Sequence, residues 1–110
     1  MPDEITTLLH RLIGGDPDAA AAIRDRATTS TSAPLLVAAA FVSRDADLLV
    51  AAGRHATTTR DRQLVALVDA SLRGDADLLD VLVRDHLADH PDSLLASWIA
   101  GGPQIPTNNQ

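Results

Sequence analysis

Asp45-Ala46-Asp47-Leu48-Leu49 and Asp75-Ala76-Asp77-Leu78-Leu79 are the same pentapeptide set 30 residues apart, and Asp16-Pro17-Asp18 sounds the same cadence 29 residues before the first of them. Each triplet follows a short apolar run and opens another. An Asp just ahead of a helix accepts hydrogen bonds from the unpaired N–H groups of the first turn. The second Asp lies within that turn, where a negative charge is favoured by the helix dipole. Pro17 stands at the first helical position, where its missing N–H costs nothing. Each triplet therefore starts the second helix of a hairpin, and a period in the range of about 20–50 residues marks a repeat protein.

Working outward, the hairpins span Asp3–Ala33, Pro34–Arg62 and Gln63–Asp92. Helix 1 is expected over Asp3–Ile13, capped by Asp3, with Ile5, Leu8, Leu9, Leu12 and Ile13 at helical spacing and Gly14-Gly15 as its stop. Helix 2 runs to about Ala27, and Thr28–Ser32 is a polar linker. Helix 3, Ala33–Ser43, is apolar nearly all round, which places it in the middle of the body. Helix 4 covers Ala46–Ala56. Thr57–Thr59 is a second linker, and Thr58 with Asp61 has capping-box spacing. Helix 5 covers Arg60–Arg73 and is stopped by Gly74. Helix 6 covers Ala76–Asp89 and is ended by Pro91. Asp92 is expected to cap helix 7, Ser93–Ala100, with Leu94, Leu95, Trp98 and Ile99 inward and Ser93, Ser97 and Ala100 outward. The expected fold is all-α: a short α-solenoid of about seven helices, made of three hairpins and a capping helix. Residues 1–100 form the single helical-repeat domain and 101–110 an irregular tail.

Composition narrows the chemistry. The chain has 110 residues, enough for one domain, and 45% of them are hydrophobic. It has no Cys, so disulfides and thiolate chemistry are excluded. Its net charge of −6 disfavours nucleic acid and anionic membranes as partners. All nine basic residues are Arg and fourteen of the fifteen acids are Asp, the bias of a GC-rich, bacterial coding sequence. The acidic start carries neither a signal nor a transit peptide pattern, and the apolar run Pro34–Val42 is far short of the roughly 20 residues of a membrane span. A cytoplasmic location is expected.

The stretches Arg60-Asp61-Arg62-Gln63-Leu64-Val65-Ala66-Leu67, Gly74-Asp75-Ala76-Asp77-Leu78-Leu79 and His86-Leu87-Ala88-Asp89-His90-Pro91-Asp92-Ser93-Leu94-Leu95-Ala96 follow one another as first helix, Gly-Asp turn, second helix, closing Pro step and next helix. Residues 60–99 in this respect resemble the tetratricopeptide repeat superfamily. The period of 29–30 is shorter than that family's 34, and the family's bulky aromatics are missing from the first helix. The resemblance implies a right-handed stack of helix pairs whose first helices line a concave peptide-binding face. The carboxylate-clamp subtype needs Lys and Asn in the groove. This chain has no Lys, and its Asn residues are Asn108 and Asn109 in the tail, so that activity is not expected.

Other constellations have simpler explanations. His86 and His90 have the spacing of two metal ligands on a helix, but fall on the apolar face with Leu79, Leu82, Val83 and Leu87. The Asp triplets are caps, without calcium-loop spacing. No P-loop, dinucleotide fingerprint, nucleophile elbow or Ser-His-Asp spacing is present. No catalytic residues, metal or cofactor are expected. The candidate binding residues are His10, Arg11, Phe41, Arg62, Gln63 and Arg73 on the concave face of helices 1, 3 and 5, with Val37, Phe41 and Trp98 left partly uncovered at the edges. The expected function is a non-catalytic protein–protein interaction module, an adaptor or small accessory subunit that is a monomer or homodimer and binds another protein or peptide. The alternative is a regulatory module holding a small ligand or anion with groove arginines.

Overall fold

A computed structural model describes residues 4–101. Among them the chain forms α1 (Glu4–Ile13), α2 (Pro17–Arg26), α3 (Ala33–Ser43), α4 (Ala46–His55), α5 (Thr59–Arg73), α6 (Ala76–Asp89) and α7 (Leu94–Ala100), with no strand. The expected Asp3 cap and the tail from 102 onward lie outside the described residues.

The hairpin turns share one construction. Gly15 and Gly74 take the left-handed conformation that ends a helix, with φ of 92° and 74°. The next residue, Asp16 or Asp75, returns its N–H to the carbonyl five residues back, at Arg11 or Ala70. The middle hairpin does the same with Arg44 at φ 55° and Asp45 bonded to Ala40. An L side chain in that region is strained. Arg44 is held there by two bonds across to α5, from Nη1 to Ser71 Oγ at 3.2 Å and from Nη2 to the Ser71 carbonyl at 2.9 Å. Its guanidinium also lies 5.8 Å from the centre of the Phe41 ring.

Asp16, Asp45 and Asp75 each accept first-turn N–H groups and cap α2, α4 and α6. Ser32, Thr58 and Ser93 do the same for α3, α5 and α7. The α7 cap is therefore Ser93 and not Asp92. That changes the expected faces of α7. Ser93 is buried, because its hydroxyl has partners on both sides, and Leu94 is 52% exposed. Leu95, Ala96 and Ile99 carry the inward face.

The core is centred on α3, whose residues from Leu35 to Phe41 are all buried. Ala38, Ala39 and Ala40 leave room for neighbouring backbones, and α3 packs on α1, α2, α4 and α5. Each buried Leu or Ile adds roughly 1.5–3 kcal/mol of transfer free energy. Each consecutive helix pair packs together in its expected hairpin. The first helices also meet in order, α1 on α3, α3 on α5 and α5 on α7, and α7 comes back onto α1. The body measures 34 × 33 × 27 Å, a compact globule. Its closure corrects the expectation that Val37 and Phe41 are left partly uncovered. Both are buried, and α7 brings Trp98 edge-on to Phe41 with ring centres 4.8 Å apart. Among the described residues no helix is long and apolar enough to cross a membrane.

Candidate functional site: a cleft where the first helices meet

A cleft of about 450 Å3 lies where α1, α3, α5 and α7 converge. Leu9 and Ile13 come from the second half of α1, because the helical phase that buries Leu8 and Leu12 leaves them on the flank. Pro34 comes from the first turn of α3, and Leu64 from α5. Leu94 and Leu95 of α7 complete the apolar lining. The rim is polar and of both signs: His10, Arg60, Asp61 and Asp92. Arg60 and Asp92 approach to 4.0 Å across solvent-exposed positions, a pair that water screens strongly.

Behind the cleft lies a buried polar chain. Ser93 lines the cleft, and its Oγ lies 3.1 Å from His86 Nε2. His86 Nδ1 lies 2.7 Å from Gln63 Oε1. The imidazole is 0% exposed. Gln63 Oε1 can only accept, so Nδ1 carries the proton and donates it there. Nε2 then accepts the Ser93 hydroxyl proton, and Ser93 Oγ accepts from Ala96 N–H at 3.3 Å. Every polar atom of the ring is satisfied in the neutral form. The His86 pKa is pushed below the usual histidine value, first by burial and then by the neighbouring His90 and Arg60, with Asp89 pulling the other way. The His90 ring lies 4.9 Å from that of His86, centre to centre.

Serine, imidazole and amide stand in the order of a nucleophile, a base and an orienting group. Two features set this chain apart from such a relay. Gln63 is neutral and lacks the charge that stabilises an imidazolium, and a lone pair of the Ser93 oxygen is engaged by the first turn of α7. The chain ties α5, α6 and α7 together through one buried ring.

The expected binding residues scatter over this geometry. His10 is exposed and sits on the cleft rim. Arg11 is exposed and turned to Asp16, with Nε and Nη2 each 2.8 Å from Oδ2. This pairing holds the Asp16 carboxyl below the usual range. Phe41 is buried in the core, and it lines a second cavity of about 230 Å3 with Trp98, Leu12 and Pro17. Arg62 is exposed on α5. Gln63 is committed to His86. Arg73 lies at the far end of α5, paired with Asp69 at 3.1 Å. The structure thus brings His10 to the cleft and leaves Arg11, Phe41, Arg62, Gln63 and Arg73 off its lining. Sequence reasoning missed Arg60, Asp61 and Asp92. Their shared place at the ends of elements flanking the linkers was the available signal. Among the described residues no three metal-ligating side chains come together. No protein-family model, curated protein or solved structure matches the chain.

Proposed function

We propose that this chain is a non-catalytic protein–protein interaction module, an adaptor or small accessory subunit of the cytoplasm. In this reading its three hairpins are tetratricopeptide-like units wound tightly enough for the last helix to meet the first. The repeated turn, a left-handed residue followed by a capping Asp, supports the repeat reading. The observation that carries the function is the cleft. Helices 1, 3 and 5, the elements expected to line a peptide face, all contribute to it, and Leu94 stands exposed at its edge. An apolar floor of this size accepts one or two apolar side chains of a partner peptide, and a rim of mixed charge reads the polar groups beside them.

The test is affinity capture from the native organism with the wild type and Leu94→Asp side by side, and light scattering on both. The expected result is one stoichiometric protein held by the wild type and lost by the variant. A partner held equally by both, or none, counts against the reading. The second reading is a small anion. It is favoured by Arg60, in the first turn of α5, and His10 lining the same cleft as Pro34 of the first turn of α3. A rise in melting temperature with inorganic phosphate or a dicarboxylate, absent in Arg60→Gln, would move the assignment to it.

A further inference from the structure

The outer face of α6 is built like a surface awaiting another helix. Leu78 is 42% exposed and Val81 51% exposed. They lie three residues apart on one stripe of the helix, and Asp85 and Ala88 continue the stripe, both exposed. The repeat supplies the comparison. In α4 the equivalent positions are Leu48 and Ala51, both half-buried, and Ala52 beside them is fully buried. There α3 and the fifteen-residue α5 both pack on α4. In α6 the neighbours are α5 on one side and the seven-residue α7 on the other, and the stripe stays open. The position that α5 takes on α4 is taken on α6 by α7, a helix half as long that leaves Leu78 and Val81 open.

Charge says what fits there. Within α6 the solvent-exposed charges are Asp77, Asp80, Asp85 and Asp89 against Arg84, which pairs with Asp80 at 3.1 Å. A second copy of this face would set those carboxylates against each other. Residues 102–110 contain no charged side chain and do not answer them. We propose that the α6 face binds a basic amphipathic helix of a partner protein. Its apolar residues at i and i+3 or i+4 lie on Leu78 and Val81, and its Arg or Lys side chains answer Asp77, Asp80 and Asp85. This inference rests on the interaction-module reading but uses a different face from the cleft.

The probe is a synthetic amphipathic helix of Leu and Lys about 14 residues long, the length of α6. Its controls are a scrambled peptide of the same composition and a Leu/Glu analogue. Binding is read by calorimetry and by amide shifts in labelled protein. The Leu/Lys helix is expected to bind with shifts centred on residues 77–88 and to weaken with salt. It is expected to lose at least about tenfold in affinity to Leu78→Ser/Val81→Ser, a change of about 1.4 kcal/mol. Both positions are open to solvent, so the variant is expected to keep its fold, checked by circular dichroism. Asp77→Asn/Asp85→Asn is expected to flatten the salt dependence. Equal binding of the scrambled peptide overturns the inference, because acidity alone would explain it. So does an absence of binding, a shift pattern on Leu9, Leu64 and Leu94, or self-association through α6 in light scattering. A partner lost by Leu94→Asp, with no peptide response on α6, sinks this inference and leaves the cleft reading standing. Binding to α6 without any Leu94-dependent partner does the reverse.

Discussion

The hairpins α3–α4 and α5–α6 start their second helices with the same five residues, yet the two helices end up in different surroundings. Leu49 is 7% exposed, whereas its equivalent Leu79 is only half-buried and Leu78 beside it is 42% exposed. The local instruction is identical: an Asp cap, an acidic first turn, two leucines. What differs is the next element. α4 lies under a fifteen-residue helix, and α6 is followed by one of seven. A repeat's sequence sets where its helices begin, and its neighbours set which side chains become core.

Core truncations give that contrast its largest readout. Leu67→Ala, at a fully buried position of α5, is expected to destabilise by about 2–5 kcal/mol in urea unfolding. Leu49→Ala belongs in the same range. Leu79→Ala is expected to cost about 1–2 kcal/mol and Leu78→Ala below about 1 kcal/mol, since each removes less area from contact. Equal losses at Leu49 and Leu79 would break the comparison and show that α6 is covered in solution.

Acid separates the two hairpins by another route. The junction of α3 and α4 is apolar, but that of α5, α6 and α7 contains the His86 ring. The native state keeps His86 neutral, and the unfolded chain protonates it near the ordinary histidine value of about 6.5. Below that value the unfolded state binds more protons, so stability rises with pH. The contribution is complete above about pH 6.5 and is lost as pH falls through the lowered native value. The urea midpoint is expected to drop between pH 7.5 and 5.5. Amide protection in α7 is expected to fall before that in α3 and α4, and His86→Gln should flatten the slope. An unchanged midpoint in the wild type would show that the ring is not held as neutral.

Much of this body was legible in the sequence because it is written locally. Helix starts are fixed by Asp16, Asp45, Asp75 and Thr58 acting on amides two or three residues away, and α3 and α6 begin and end where their patterns place them. The site was not legible, because its parts are distant. His86 meets Gln63 across 23 residues, and the return of α7 to α1 spans nearly the whole chain. Neither leaves a periodic trace. Ser93 and Leu94 exchanged their expected places for the same reason, since a buried serine hydroxyl is costly unless it finds partners, and here the distant His86 ring receives its proton. Arg44 was hidden differently. Nothing in an arginine announces a left-handed φ.

That residue allows a paired substitution. Gly74→Ala puts a Cβ on a backbone at φ 74° and is expected to destabilise by about 1 kcal/mol, although nothing crowds the site. Arg44→Gly relieves the same strain but removes both bonds to Ser71, so it should fall within about 1 kcal/mol of the wild type. The Ser71→Ala background separates the two effects, because there the hydroxyl bond is already gone while the bond to the carbonyl remains. Any net loss at Arg44→Gly means that the cross-helix bonds outweigh the strain, and a loss well beyond about 1 kcal/mol breaks the expectation.

The smallest contrast lies in the caps. Asp45 Oδ1 accepts from Asp47 N–H at 2.9 Å and from Leu48 N–H at 3.4 Å, whereas Asp75 Oδ1 accepts from Leu78 N–H at 3.1 Å alone. Each Asp→Ala substitution is expected to cost about 0.5–2 kcal/mol, with Asp45 the larger by a few tenths. Asn in either place should recover most of the loss, since its oxygen accepts the same amides without the charge. The residual between Asp and Asn measures the dipole contribution of the repeated acid, and it should shrink with added salt at both hairpins alike. If Asp75→Ala is silent in urea while Asp45→Ala is not, the third triplet has another task. Its place at the start of the α6 face would then make it part of the binding surface and not of the scaffold.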